Sequence, residues 1–84
     1  MSKYTIKLSK KAEKQLDKLN DKIASQLLKV IFDLAKNPRP FGYIKLKGRI
    51  AFRIRKGNYR IIYEIFDDVL LVEIITIGDK KDIY

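Results

Sequence analysis

The sequence has 84 residues, a length that fits one compact domain and leaves no room for a second. It contains no cysteine and no histidine, which excludes disulfides, thiolate catalysis and sulfur-ligated zinc, and removes the usual acid or base of neutral pH. The formal net charge of +9, from 19 Lys and Arg against 10 Asp and Glu, favours polyanionic partners, although an ordinary lysine-rich surface has the same composition.

The N-terminal segment is polar and does not predict a secretory signal. No stretch approaches the roughly 20 apolar residues that a membrane-spanning helix needs. We therefore expect a cytoplasmic protein with no membrane partner.

The first half of the chain predicts one strand followed by two helices. Residues 4–8 alternate between polar and apolar side chains, as a half-buried strand does, and Ser9 can cap a first helix over about residues 10–19. Asp21 is expected to cap the second helix, which ends at residues 37–40 because proline cannot continue it. Its apolar stripe is wide enough for two neighbours, the first helix and the sheet, unless a bound partner covers part of it.

The second half of the chain predicts strands. Residues 41–49 come first, as an irregular basic loop or a short edge segment. Strands are then expected at residues 50–56, 59–66 and 69–77, with Gly57-Asn58 and Asp67-Asp68 as tight turns. Because no repeat or linker interrupts the pattern, residues 1–84 are expected to form a single domain.

Two-residue turns determine which residues face each other across each predicted hairpin. One continuous apolar face results, in which the expected pairs are Ile54 with Ile61, Phe52 with Tyr63, Ile61 with Ile74, Tyr63 with Val72, and Ile65 with Leu70.

The opposite face of these strands carries Arg53, Arg55 and Arg60, with Arg55 directly across from Arg60. Like charges opposed across a sheet are destabilising by up to about 1 kcal/mol, so this pattern favours a bound anion between the strands. Guanidinium groups suit the paired oxygens of a phosphate. Two alternatives stay open: the arginines are solvated, with Glu64 and Glu73 as partial counterions, or a bulged turn shifts the register.

The C-terminal tail follows Gly78, which is expected to let the chain bend away from the last strand. That bend would carry Lys80 and Tyr84 back towards the arginine face. An ordinary frayed terminus is the alternative.

Several motifs, taken together in order and spacing, resemble the RelE/ParE toxin superfamily over nearly the whole chain. They are Ser9-Lys10-Lys11-Ala12, Leu34 to Pro38, Lys45-Leu46-Lys47-Gly48, Phe52 to Glu64, and Gly78 to Tyr84. The resemblance implies an α+β fold in which an N-terminal strand and a helical hairpin pack on one face of a twisted antiparallel sheet.

The RelE branch of this superfamily cuts mRNA in the ribosomal A site, without a metal or other cofactor. The 2′ hydroxyl of the RNA attacks the adjacent phosphate, which leaves a cyclic phosphate and a free 5′ hydroxyl. The resemblance implies catalytic roles for Arg53, Arg55, Arg60, Lys80 and Tyr84, and RNA-binding roles for Lys45, Lys47, Arg49, Lys56 and Lys81. Arg55 and Arg60 are expected to stabilise charge, Arg53 and Lys80 to help or donate a proton, and Tyr84 to act as base or stacking ring.

The tail departs from the family at Asp79 and Lys80, where a His or Lys usually precedes an Arg. This departure leaves open a non-catalytic member that only binds an antitoxin or nucleic acid. A ParE-like poison of DNA gyrase also stays open, because the glycine turn and the strand at residues 59–64 resemble that branch as well. In each case the resemblance implies a cognate antitoxin and a toxin–antitoxin hetero-oligomer. Leu28 and Phe32 on the second helix are a candidate docking stripe, with core packing as the alternative.

Overall fold

The computed structural model of the protein describes residues 3–79, in which two helices pack on one face of a five-stranded sheet. The sheet has the strand order β1-β5-β4-β3-β2. The elements are β1 (Thr5–Leu8), α1 (Lys10–Asp17), α2 (Asp21–Lys36), β2 (Ile44–Lys45), β3 (Phe52–Lys56), β4 (Tyr59–Phe66) and β5 (Leu71–Asp79).

The predicted α+β class is confirmed, and the sheet is mixed rather than antiparallel throughout. Strand β1 lies at one edge and pairs with β5 in parallel. This is possible because the chain crosses the sheet through the two helices before the remaining strands begin. None of the helices in residues 3–79 is long and apolar enough to cross a membrane.

Both helices begin at side-chain caps, one of which differs from the prediction. Ser9 caps α1 as expected, with its Oγ atom accepting from the Ala12 amide at 3.0 Å. The cap of α2 is Asn20 and not Asp21, because Asn20 has an extended backbone and its Oδ1 atom accepts from the Ile23 amide at 2.9 Å. Asp21 is instead the first helical residue, where its negative charge is favourable against the helix dipole.

The core lies between the helices and the apolar face of the sheet. Leu28 packs against this core, whereas Phe32 is 60% exposed. The buried core residues are Ala12, Leu16, Leu27, Ile31, Leu34, Ile54, Ile61, Tyr63, Val72, Ile74 and Ile77.

The first hairpin has the predicted register. Gly57 and Asn58 form the turn, and Gly57 has a φ of +60°, a conformation that glycine adopts without strain. Phe52 pairs with Tyr63, Ile54 with Ile61, and Arg55 with Arg60.

The predicted register of the second hairpin is wrong. The turn spans residues 67–70 rather than two aspartates, and Leu70 adopts a positive φ of 51° within it. Strand β5 therefore starts at Leu71, and Tyr63 pairs with Ile74 instead of Val72. Because the offset is two residues, each side chain stays on its expected face of the sheet.

A β-bulge in β5 then shifts the register again. Tyr63 pairs with Ile74 but Ile62 pairs with Thr76, which leaves Ile75 as the extra residue. The strand continues to Asp79, so Gly78 pairs with Arg60 and does not bend the chain away as expected.

Candidate nucleic-acid interface

An open groove with a volume of about 700 Å³ lies where α1, the β2–β3 loop and the end of β5 approach one another. Four cationic residues line it: Lys11 from α1, Lys47 and Arg49 from the loop, and Arg53 from β3. Asp79 is the only carboxylate among the described residues that line it. The remaining lining residues are Gln15, Leu19, Leu46, Tyr59, Ile62, Thr76, Ile77 and Gly78.

The groove has the charge and openness that a phosphodiester chain requires. Cations from three separate chain segments surround it, and apolar side chains such as Ile62 form part of its surface. Lysine and arginine side chains bind nucleic-acid phosphates by releasing condensed counterions. An extended, single-stranded polyanion is the kind of ligand that this arrangement accommodates.

The structure brings some of the predicted site residues to the groove and leaves others outside it. Arg53, Lys47 and Arg49 line the groove. Lys45 instead lines a shallow depression around Gly48, which Lys47 and Arg49 also border. Arg55, Lys56 and Arg60 line neither. The predicted roles of Lys80, Lys81 and Tyr84 fall outside the described residues.

The opposed pair Arg55 and Arg60 exists as predicted, but its two members differ in exposure. Arg55 is exposed, whereas Arg60 is buried, with 5% of its surface accessible. The alternative in which all of these arginines are solvated therefore fails for Arg60. On its other side Arg60 pairs with Gly78, a lining residue of the groove, so the Arg60 backbone lies next to the groove wall.

Sequence reasoning missed the contribution of α1 and of Tyr59 to the groove. Ala12 and Leu16 are buried in the core, and Lys11 and Gln15 precede each of them by one position. Residues four apart share one face of a helix, so this spacing could have identified Lys11 and Gln15 as a pair. Nothing in the sequence pattern indicates that this face borders the sheet at the end of β5.

A second charged cluster, which we term the Asp67 cluster, consists of Tyr4, Arg39 and Asp67. The guanidinium group of Arg39 donates to both carboxylate oxygens of Asp67, at 3.2 and 2.8 Å, and the Tyr4 hydroxyl donates to Oδ1. Hydrogen bonds from Arg39 and then Tyr4 lower the pKa of Asp67 to about 2. The hydrogen bond with Asp67 likewise raises the pKa of Tyr4.

An aromatic stack adjoins the Asp67 cluster. The Phe52 ring lies 5.8 Å from that of Tyr43 and 5.9 Å from that of Tyr63, measured between centroids, and Arg39 lies 5.9 Å from the Phe52 centroid. The buried Tyr63 hydroxyl donates to the Pro38 carbonyl oxygen at 2.7 Å. Burial raises the pKa of Tyr63 to about 12.

Comparisons with known proteins agree with the fold and identify the family. Residues 6–84 match the family model of the ParE toxin of the type II toxin–antitoxin system parDE. Toxin RelG of Mycobacterium tuberculosis is 32% identical over 84 residues, which cover 96% of this chain and 95% of RelG. The mRNA interferase toxin RelE of Escherichia coli is 26% identical over 81 residues, which cover 93% of this chain and 84% of RelE.

Solved toxin structures have the same fold. A chain of the RelBE2 toxin–antitoxin complex from Mycobacterium tuberculosis superposes with a TM-score of 0.83 at 27% identity, covering 93% of this chain and 99% of that one. A chain of the archaeal RelE–RelB complex from Pyrococcus horikoshii gives a TM-score of 0.82 at 28% identity, covering 95% and 97%. The protein belongs to the ParE toxin family of type II toxin–antitoxin systems, within the RelE/ParE superfamily.

Proposed function

We propose that this toxin is a ribosome-dependent mRNA endonuclease that inhibits translation, and that its groove binds the RNA backbone. The observation that carries the proposal is the convergence of Lys11, Lys47, Arg49 and Arg53 on one open groove, where Asp79 is the single carboxylate among the residues described. The similarity to RelE of Escherichia coli, which is named an mRNA interferase, supports the same activity.

The proposed reaction is a transesterification within the RNA. The 2′ oxygen loses its proton to a base and forms a bond to the adjacent phosphorus, while the bond from phosphorus to the 5′ oxygen breaks and that oxygen takes up a proton. Negative charge accumulates on the phosphorane oxygens, and fixed cations stabilise it. No metal or cofactor enters this scheme.

Of the described residues for which the resemblance implies a catalytic role, Arg53 lines the groove, so it is best placed to stabilise the phosphorane. Arg60, whose backbone lies next to the groove wall, and Arg55, which is exposed, keep the charge-stabilising roles that the resemblance implies. Lys80 and Tyr84 keep the roles that the resemblance implies, as helper or proton donor and as base or stacking ring.

Controlled induction of the toxin in a bacterial host, followed by mapping of RNA ends, tests the proposal. We expect new ends inside translated messages, with a cyclic phosphate on one fragment and a 5′ hydroxyl on the other. Messages that are not translated should stay intact. Intact translated messages in a growth-arrested host would contradict the nuclease proposal.

A second candidate function is poisoning of DNA gyrase through protein contacts. The match to the ParE family model favours it. Double-strand DNA breaks with intact messages would support this alternative in the same induction experiment. A non-catalytic member would instead bind RNA with a steep salt dependence and leave growth unchanged.

We also propose that the chain, as one toxin domain in the cytoplasm, forms a hetero-oligomer with a cognate antitoxin. Similar toxins have been solved as complexes with RelB antitoxins. The net charge of +9 suits an acidic or amphipathic partner segment. On α2, Phe32 is the candidate docking residue because it is exposed, whereas Leu28 packs against the core.

A further inference from the structure

The bulge in β5 interrupts the backbone pairing with β4 at the point where β5 reaches the groove. Ile75 has no residue opposite it in β4. Buried backbone groups need hydrogen-bond partners, and a bulge removes part of the regular ladder that provides them. The partners at and just after this bulge are the side chains of Ser9, which caps α1, and of Gln15 in the second turn of α1.

Ser9 and Gln15 hold the backbone on the two sides of the bulge. The Ser9 hydroxyl donates to the Ile75 carbonyl oxygen at 2.7 Å, and the Ile77 amide donates to the Oε1 atom of Gln15 at 2.6 Å. The Nε2 atom of Gln15 also donates to the hydroxyl of Thr76 at 3.0 Å. Because a backbone amide can only donate, the Ile77 contact fixes which way the Gln15 amide points.

The bulge decides which side chains of β5 face the groove. With it, Ile77 lies opposite Ile61 in the core and Gly78 lies opposite Arg60. Continuing the register of Tyr63 with Ile74 without a bulge would place Ile77 opposite Arg60. An isoleucine side chain would then occupy the face of the sheet where glycine now leaves space.

We infer that Gln15 is a positioning residue that holds the bulge and thereby fixes the wall of the groove from Thr76 to Asp79. Its contacts run from α1 to two consecutive residues of that wall, and Gln15 itself lines the groove. The effect of Gln15 on RNA cutting rests on the proposed nuclease function; its effect on the bulge does not.

The test compares Gln15→Met, which keeps the side-chain length but removes both amide contacts, with Gln26→Met, the same change at an exposed position of α2. Loss of one hydrogen bond is worth about 1 kcal/mol, so we expect amide hydrogen exchange at Ile77 to rise about fivefold in Gln15→Met only. Gln15→Glu keeps an acceptor oxygen and should restore the protection of Ile77.

The kinetic part of the test measures ribosome-dependent cutting by the same proteins. We expect kcat of Gln15→Met to fall about tenfold while KM changes little, because the cations that bind RNA remain in place. Gln26→Met should match the wild type in both constants. Rates are expressed per active toxin molecule, so a smaller folded fraction in Gln15→Met would not by itself lower kcat.

Two outcomes would overturn the inference. In the first, Ile77 exchanges at the same rate in Gln15→Met and Gln26→Met; in the second, exchange rises but kcat does not change. A wild-type protein that cuts no RNA would refute the proposed function, and the exchange comparison would still decide whether Gln15 holds the bulge. If Gln15→Met does not fold, Thr76→Val, which deletes the hydroxyl that Gln15 contacts, takes its place with a smaller expected rise in exchange.

Discussion

The groove and the Asp67 cluster use arginine in different ways. In the Asp67 cluster, Arg39 makes a two-point ion pair with a carboxylate that also accepts from Tyr4, and this joins the start of β1, the α2–β2 loop and the β4–β5 turn. Within residues 3–79, the groove gathers four cations around one carboxylate, which gives a net positive charge. From this difference we expect Arg39 to serve stability, and we propose that Arg53 serves binding of an anion.

Replacing Arg53 with alanine gives the largest expected effect on function. Removing one preorganised donor to a developing oxyanion commonly costs a factor of about 100 in kcat, and we expect that loss in the cutting assay. Arg39→Ala is the matched control, since it deletes the same side chain from the Asp67 cluster. It should lower the urea midpoint and leave kcat nearly unchanged; the reverse pattern would refute the division of roles.

Replacing Tyr63 with phenylalanine keeps the ring and tests the hydrogen bond of its hydroxyl group to Pro38. The change removes the hydrogen bond to the Pro38 carbonyl and should lower the free energy of unfolding by about 1 kcal/mol, with cutting unaffected. The pKa of Tyr63 is raised to about 12 from its ordinary 10.0, so the neutral phenol is favoured in the folded state. The contribution of the neutral Tyr63 phenol to the free energy of unfolding is complete below pH 10 and is lost as the pH rises towards 12.

Urea unfolding as a function of pH tests whether the neutral Tyr63 phenol stabilises the fold. The stability difference between the wild type and Tyr63→Phe should be constant near neutral pH and should shrink between pH 10 and 12. Tyr59→Phe, which removes a phenol at the groove, is the control. An equal loss of stability in both variants would mean that the contact with Pro38 contributes nothing specific.

The two hairpins show how far the sequence determines the fold. The register of the first hairpin was predictable because Gly57-Asn58 forms a two-residue turn, and Arg55 therefore had to face Arg60. The register of the second hairpin was not predictable, because the sequence Asp67-Asp68 does not determine the length of the turn. The turn extends to Leu70, which adopts a positive φ. Up to the bulge the offset is even and leaves the side chains on their expected faces, and the class of fold was still predicted correctly.

The bulge is evident from which residues of β5 are buried, and the alternation of polar and apolar residues in the sequence does not predict it. Val72, Ile74 and Ile77 are all buried, although a regular strand cannot turn residues three apart to the same face. The burial of Arg60 was unpredictable for a different reason. Charged side chains on the face of a sheet opposite the core are usually exposed, and no local pattern predicts the 5% exposure of Arg60.

Lys47 provides a test of the groove's electrostatic role. If the groove binds single-stranded RNA, each phosphate contact contributes about 0.7 to the slope of log affinity against log salt concentration. Lys47→Ala should therefore lower that slope by about 0.7, whereas Lys29→Ala, a change on the exposed face of α2, should leave it unchanged. Equal slopes for both variants would mean that RNA does not contact Lys47 in the groove.

Acid titration of the Asp67 cluster gives the smallest expected effect, because the cluster is exposed and water screens its charges. The pKa of Asp67 is lowered from 3.8 to about 2, so its ionised form is stabilised in the folded protein. That contribution is complete above pH 3.8 and is lost as the pH falls towards 2. Asp67→Asn should thus lower the urea midpoint at neutral pH, and its difference from the wild type should close on acidification.

The neighbouring Asp68 supplies the control for this experiment. It is exposed in the same turn, and Asp68→Asn removes the same formal charge without touching the hydrogen bonds from Arg39 and Tyr4. Its urea midpoint should follow that of the wild type at every pH. If Asp67→Asn and Asp68→Asn behave alike, the effect is one of net charge on a protein that carries +9, and the three-residue contact does not stabilise the fold.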